Sequence, residues 1–421
     1  MSNSPALARR LGTFDASVIG LGSMIGAGVF AAFTPAAAAA GSGLLIGLVV
    51  AAFVAFCNAT SSAQLAARYP TSGGTYVYGR ERLGPWPGFL AGWGFVIGKT
   101  ASAAAMAMTF AAYAAPAGWE RPVAIAAVVI LTAVNYHGVT RTAGLTRILV
   151  IAVLTGLAIA VAAVWGGSGP DFSNFVGEGL LAHGWYGILQ SAGLLFFAFA
   201  GYARIATMGE EVREPRRTIP RAISIALGIT IVIYAIIAVT LLAALGPDGV
   251  SGTPTPLADA VTSGAMSWAA PIVRIGAAIA SLGALLALIA GLGRTSLAMA
   301  REHDLPHWLA AVHQRYRVPH RAETTLAVVI CLIISVADLR GAIGFSSFGV
   351  LLYYLIANIA ALTQPVEDRR YPKALQVAGA AACVALVATL PPLSVGLGVL
   401  MFVVGIVFRV IRLRRGHSRV R

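Results

Sequence analysis

The chain is poor in charge, in acids and above all in lysine. Only 11% of its 421 residues are Asp, Glu, Lys or Arg, while 58% are hydrophobic. A typical globular domain carries roughly 25% charged residues, so a soluble core cannot hide this much apolar surface, and the mean hydropathy of +0.81 points the same way. Cysteine is nearly missing: Cys57, Cys331 and Cys383 all fall inside apolar runs and make no CxxC pair. A disulfide framework or thiolate metal site is thereby excluded. Four histidines (His303, His307, His313 and His320) share one segment, but Pro306 and Pro319 break it, so His303 and His307 do not form a metal pair on one helical face. HExxH, GxSxG, a P-loop and paired intramembrane acids are all missing, which argues against a membrane-embedded enzyme. No catalytic residue, metal or cofactor is expected. The first apolar stretch runs past signal-peptide length without a clear A-x-A site and reads as a first transmembrane helix.

What is abundant is long apolar sequence. Gly, Pro and Arg punctuate it into twelve runs, at about 14–34, 43–66, 86–113, 122–137, 145–165, 185–207, 221–245, 271–299, 323–337, 342–363, 373–390 and 393–411. At about 20 residues per membrane-spanning helix, the chain has room for this dozen. Backbone groups in hydrocarbon must be satisfied within each segment, and the length and Ala/Leu/Ile/Val content favour helices over a barrel. The expected fold class is an all-α integral membrane protein of twelve transmembrane helices. No soluble domain interrupts it, the longest connections being about 166–184, 246–270 and 300–322.

The net charge of +14 would suit a nucleic acid if it formed one stripe. It is instead scattered between the apolar runs. With the N-terminus placed in the cytoplasm, twenty-five Lys and Arg fall on cytoplasmic segments, from Arg9, Arg10 and Arg68 through Arg141 and Arg147 to the tail. Only Arg121, Arg274 and Arg340 fall outside. This asymmetry satisfies the positive-inside rule and places both termini in the cytoplasm of a multi-pass plasma-membrane protein. The lipid bilayer, not nucleic acid, is the expected partner, and the basic tail at 409–421 is expected to lie against anionic headgroups.

Two spans contain sequence that a regular helix accommodates poorly. The first holds Gly22-Ser23-Met24-Ile25-Gly26-Ala27-Gly28, three glycines within seven residues, each costing about 1 kcal/mol against Ala in a helix interior. Close packing of small residues is one account; an unwound stretch at mid-membrane, able to receive a carboxylate, is the other. The sixth span offers Phe196-Phe197-Ala198-Phe199-Ala200-Gly201-Tyr202-Ala203-Arg204 as a counterpart. Breaks five spans apart are what an inverted repeat produces.

Four ordered segments resemble the amino acid–polyamine–organocation transporter superfamily. GSMIGAGVF resembles its helix-1 motif, and RYPTSGGTYVYGRERLGPWPGFLAGW (68–93) looks like its loop and helix-3 start. FFAFAGYARIATMGEEVREPRRTIPRAI (196–223) resembles its helix 6 and following loop, and RTSLAMAREHDLP (294–306) its helix-8 end. The resemblance implies a five-plus-five inverted repeat with discontinuous helices 1 and 6 (14–165 and 185–363), followed by two further helices (373–411). It implies that backbone around Ser23, Met24, Ile25, Gly26, Ala27 and Gly28 receives a substrate carboxylate. Carbonyls near Phe199, Ala200 and Gly201, beside Tyr202, would receive its ammonium. Phe197 falls where the family often places an aromatic gate, and packing between helices is its alternative role. Two positions depart from the family: the helix-5 lysine of some proton-coupled relatives falls at about Val153, and a helix-6 glutamate is replaced by Ala203.

Lys99 then stands out. It lies mid-way along the third span, about 20 Å from either end, and a charged Lys at that depth costs at least about 2.5–3.5 kcal/mol. It is a candidate for coupling transport to protons, cycling between charged and neutral forms; satisfying carbonyls at a helix break is the alternative. Asp15 is expected to cap or pair at the start of helix 1 and is a gate candidate. Glu210 and Glu211, opposite Arg213, Arg216, Arg217 and Arg221, are others. So is Arg204, expected to pair with a carbonyl or with an acid of another helix. The expected function is secondary active transport of an amino acid or related amine by alternating access, helices 1, 2, 6 and 7 rocking against the rest. A neutral amino acid is favoured because neither break holds an acid, and protons are the expected coupling partner. A cation-repelling Lys99 facing the pocket would also admit a carboxylate-rich substrate. Exchange or uniport without ion coupling is the alternative, a channel or sensor a distant one, and Ser281 is the one oxygen considered for sodium.

Overall fold

A computed structural model of the chain describes residues 11–71, 73–138, 143–166, 173, 179–264 and 266–417. Arg9, Arg10, Arg141, most of the 166–184 connection and the last four residues of the basic tail lie outside the described residues. Those described are helical, with no strand among them. In chain order the helices are α1 (Thr13–Ile25), α2 (Gly28–Ala31), α3 (Phe33–Ala40), α4 (Leu44–Arg68), α5 (Thr75–Leu83), α6 (Pro85–Ala114), α7 (Glu120–Tyr136), α8 (Ala143–Trp165), α9 (Gly184–Phe199), α10 (Ala203–Ala206) and α11 (Pro215–Ser251). They continue with α12 (Pro256–Thr262), α13 (Ala270–Arg301), α14 (His320–Val336), α15 (Leu339–Leu362), α16 (Lys373–Thr389) and α17 (Pro392–His417).

Nine helices among the described residues are long and apolar enough to cross a membrane. Three other apolar segments, α7, α14 and α16, are 17 residues each, at the short end of the spanning range. Two boundaries differ from those read in the sequence. Helix continues past residue 34, through α3 to Ala40, and the chain reverses at Gly41 with φ +56°. The seventh long helix starts at Pro215 rather than near 221, because proline is well tolerated in a first turn, where its missing N–H is not needed. Its regular helix ends, as expected near 245, at the non-helical Gly246 (φ 65°, ψ 172°), and a further short helical stretch reaches Ser251. The connection expected at 246–270 carries α12, whose Asp259 accepts from Thr253 and Thr255.

The buried side chains form two apolar cores. The larger draws on α1–α4, α9, α11, α15 and α16, and the smaller on α6, α7, α13 and α14. Helix α6 also packs on α15 and so bridges the two. Small residues make this possible: Ala91, Ala103, Ala104, Ala105, Ala107 and Ala111 of α6 are all essentially inaccessible, letting neighbouring backbones approach closely.

Candidate functional site

The helical ladder of the first span stops at Ile25. Gly26 has a non-helical backbone (φ −44°, ψ −118°), and regular helix resumes at Gly28. The sixth span behaves likewise: α9 ends at Phe199, Ala200–Tyr202 form one tight 3-10 turn, and α10 follows. The two interruptions lie against each other. A Cβ added at Gly201 would sit 2.3 Å from the Ser23 carbonyl oxygen and 2.6 Å from the Met24 nitrogen, so only glycine lets the two backbones meet. One turn away, a Cβ on Gly28 would lie 2.7 Å from Cα of Ala198.

Aromatic hydroxyls clamp this junction from both sides. The Tyr234 hydroxyl of α11 lies 2.6 Å from the Met24 carbonyl oxygen and 3.0 Å from that of Ala198, touching both broken helices. Its ring packs on Phe199 and Phe33. Tyr113 of α6 donates to the Phe30 carbonyl at 3.3 Å. Neither tyrosine is predicted by the sequence reading, because each partner is distant along the chain and nothing local marks it.

The backbones of Ser23, Met24 and Gly201 meet at the junction, and most of the other expected site residues are buried. Met24, Ile25, Ala27, Phe197, Phe199, Ala200 and Tyr202 are buried, as are Gly26 and Gly28. Ser23 is half-buried, and its hydroxyl is already donated to the Ile19 carbonyl of its own helix at 2.9 Å, so its backbone is what faces Gly201. Tyr202 packs against Tyr354 of α15, ring centroids 5.1 Å apart. Lys99 enters from α6. It is 7% exposed, and its Nζ donates to the Ala200 carbonyl at 3.3 Å.

Val153 of α8 faces the other side of the first break. With Gly22, Ile25, Gly26, Leu149, Val150 and Ala280 it lines a void of about 10 Å³, room for about one water molecule. A residue that cannot titrate therefore stands beside Gly26. Ser281, next to Ala280, is fully buried.

The gate candidates take specific partners. Asp15 accepts from Arg147 of α8, Nε at 3.0 Å. Arg204 pairs not with another long helix, as expected, but with Glu211 at 3.8 Å, because the chain turns back on itself after α10. The segment before α1 is stitched to this same turn: Leu11 donates to the Glu211 carbonyl at 3.1 Å and accepts from the Arg213 N–H at 2.8 Å. Further along, Glu214 pairs with Arg217 at 3.7 Å on the surface.

Two polar clusters carry no signal in the sequence. Buried Asp304, past the end of α13, accepts from the Tyr76 hydroxyl and from Arg80 (each 2.8 Å), and pairs with Arg409 of α17. The Arg409 guanidinium lies over the rings of Trp86 and Phe89. Burial, then the adjacent Asp304 carboxylate, pushes the Tyr76 phenol above its ordinary range. In the second cluster Asn358 of α15 donates to Asn58 of α4 at 2.6 Å and accepts from Ser61 at 2.6 Å, with Cys383 of α16 donating to Asn58 as well.

Paired helix interruptions buried in a bundle of membrane-length helices are the architecture of a membrane transporter. The chain belongs to the amino acid permease family, whose model matches residues 11–417. It is 58% identical over 400 residues to an uncharacterized transporter of Mycobacterium tuberculosis, covering 95% of this chain and 90% of that protein. The branched-chain amino acid permease BcaP of Bacillus subtilis is 26% identical over 403 residues, 90% of this chain and 85% of that protein. A chloroplastic cationic amino acid transporter of Arabidopsis thaliana is 26% identical over 378 residues, 83% of this chain and 64% of that protein.

Proposed function

We propose that this chain is a secondary active transporter that moves a neutral amino acid across the plasma membrane by alternating access, coupled to protons. The observation that carries the reading is the contact of the two interruptions at Gly201 and Ser23. It brings released backbone polar groups of two helices to one buried point, and such groups in hydrocarbon need a partner. The substrate carboxylate is assigned to the backbone from Ser23 to Gly28, its ammonium to the carbonyls of Phe199, Ala200 and Gly201, and gating to Phe197.

The five-plus-five repeat with two further helices is part of this proposal, the 17-residue helices α7, α14 and α16 being counted as spans. So is the orientation with both termini cytoplasmic, supported by the lopsided distribution of Arg. Among the relatives, BcaP is named for branched-chain substrates and the Arabidopsis protein for cationic ones. A neutral substrate suits this chain because neither break contains Asp or Glu. Proton coupling rests on Lys99, whose amine reaches the break. The hydrogen bond it already makes to Ala200 favours a second reading, exchange or uniport with Lys99 as a structural cation.

The test is uptake into proteoliposomes of labelled amino acids and amines, with and without an inward proton gradient at fixed sodium. Gradient-driven accumulation of a neutral amino acid is expected. Counterflow indifferent to the gradient selects the exchanger, and transport of nothing in the panel overturns the amino-acid assignment.

A further inference from the structure

We propose that Lys99 sets the charge selectivity of the site: its ammonium holds the Ala200 carbonyl and shuts out substrates of net positive charge. The inference rests on the reading of the paired breaks as the substrate site, and names which amino acids that site refuses.

Three observations carry it. Lys99 is buried and its Nζ is directed at Ala200, one of the carbonyls expected to meet a substrate ammonium. The position is therefore already taken by a tethered ammonium. Second, Lys99 takes part in none of the ion pairs found among the described residues. Third, no acid is at hand to balance a second cation. Helices α4, α6, α8, α9, α13 and α15 contain neither Asp nor Glu, and the one acid of α11, Asp248, lies past the non-helical Gly246 at its far end. The one acid of α1, Asp15, lies in its first turn and is paired with Arg147.

A zwitterion is compatible with this arrangement. Its ammonium takes over the Ala200 carbonyl while its carboxylate enters the same small space as the displaced Lys99 ammonium, so the net charge of the site does not rise. Arginine, lysine or a polyamine adds an uncompensated positive charge close to Lys99, where little water screens the repulsion. Backbone carbonyls alone cannot offset that.

The experiment is counterflow in proteoliposomes with two substrate pools, one of neutral amino acids and one of arginine and lysine, for the wild-type chain and three variants. Lys99→Met keeps the length of the side chain and removes the charge, a replacement of a buried ion that is often neutral or stabilising. Lys99→Gln supplies a polar second variant, and Lys99→Arg keeps the charge. The wild type is expected to move the neutral pool alone, and Lys99→Arg, at whatever rate it retains, to keep the wild type's cationic-to-neutral ratio. Lys99→Met and Lys99→Gln are expected to raise the cationic-to-neutral ratio about tenfold or more, since like-charge contacts discriminate strongly between ligands. An unchanged ratio in both neutral variants, or wild-type transport of arginine, overturns the proposal and leaves the amino-acid reading intact. Folded Met and Gln variants that move neither pool also overturn it, giving Lys99 a part in the transport step itself. A wild type that moves neither pool overturns the amino-acid reading, and the selectivity proposal with it.

Discussion

The carbonyl oxygen of Ala200 accepts a hydrogen bond from Lys99 across 3.3 Å, joining two residues 101 positions apart in the chain. Ala200 opens the one-turn interruption between α9 and α10, and Lys99 sits mid-way along the 30-residue α6. A helix that stays straight thus reaches into one that breaks.

The closest backbone approach in the site is at Gly201, where a methyl group would meet Ser23 backbone rather than a flexible side chain. Gly201→Ala is expected to destabilise the protein by about 1–3 kcal/mol, the usual cost of overpacking, and to abolish counterflow. Gly156→Ala is the control, with nothing within 4 Å of its added Cβ. Thermal unfolding of the purified variants in detergent checks both, and equal midpoints refute the expectation.

Tyr234→Phe removes the one hydroxyl proton that lies between the Met24 and Ala198 carbonyls. The expected loss is about 1–3 kcal/mol, together with weaker substrate binding because the two breaks are no longer held in register. A thermal-shift titration with the transported amino acid reads both quantities. A variant matching the wild type in midpoint and in ligand-induced shift contradicts this role.

Asp304 answers two arginines. Asp304→Asn leaves the buried Arg409 without its carboxylate and Arg80 with Glu302 alone, and is expected to cost about 3–5 kcal/mol. Glu302→Gln, at the exposed end of the same group, is expected to cost under about 1 kcal/mol. Chemical denaturation of the two side by side separates them, and similar midpoints would show the Asp304 pairing to be dispensable.

The Asp15–Arg147 pair is half open to solvent, so Asp15→Arg alone is expected to lower stability by about 1 kcal/mol or less. Its larger expected effect is on exchange rate, as befits a gate. Combining it with Arg147→Asp restores the pair with reversed polarity and should recover the rate, the signature of direct coupling. Failure of the double variant to improve on the single ones removes the pair from the gate.

Both interruptions were legible in the sequence because glycine in an apolar span is costly enough to need a reason, and Gly22, Gly26, Gly28 and Gly201 supplied one. Lys99 was legible for the same kind of reason, a charge at a depth where charge is penalised. Tyr234, Asp304 and the Asn58–Asn358 pair were not. A tyrosine or asparagine in a helix says nothing about which backbone it will meet, and the partners of Asp304 lie 105 and 224 positions away. For Arg204 the sequence offers a carbonyl or an acid of another helix; the turn after α10 brings Glu211 back to it instead. The short helical stretch after Gly246 and the short helix α12 carry no signal, because Pro247 and the sequence Gly252-Thr253-Pro254-Thr255-Pro256 look like loop.

The backbone bonds joining Leu11 to Glu211 and Arg213 reach beyond local stability. They tie the start of the first broken helix to the turn that leaves the second. A rotation of either half-helix is transmitted to the other through the peptide backbone, without a side chain as intermediary. In the proposed transport cycle, the end assigned to the carboxylate and the end assigned to the ammonium are therefore expected to open together.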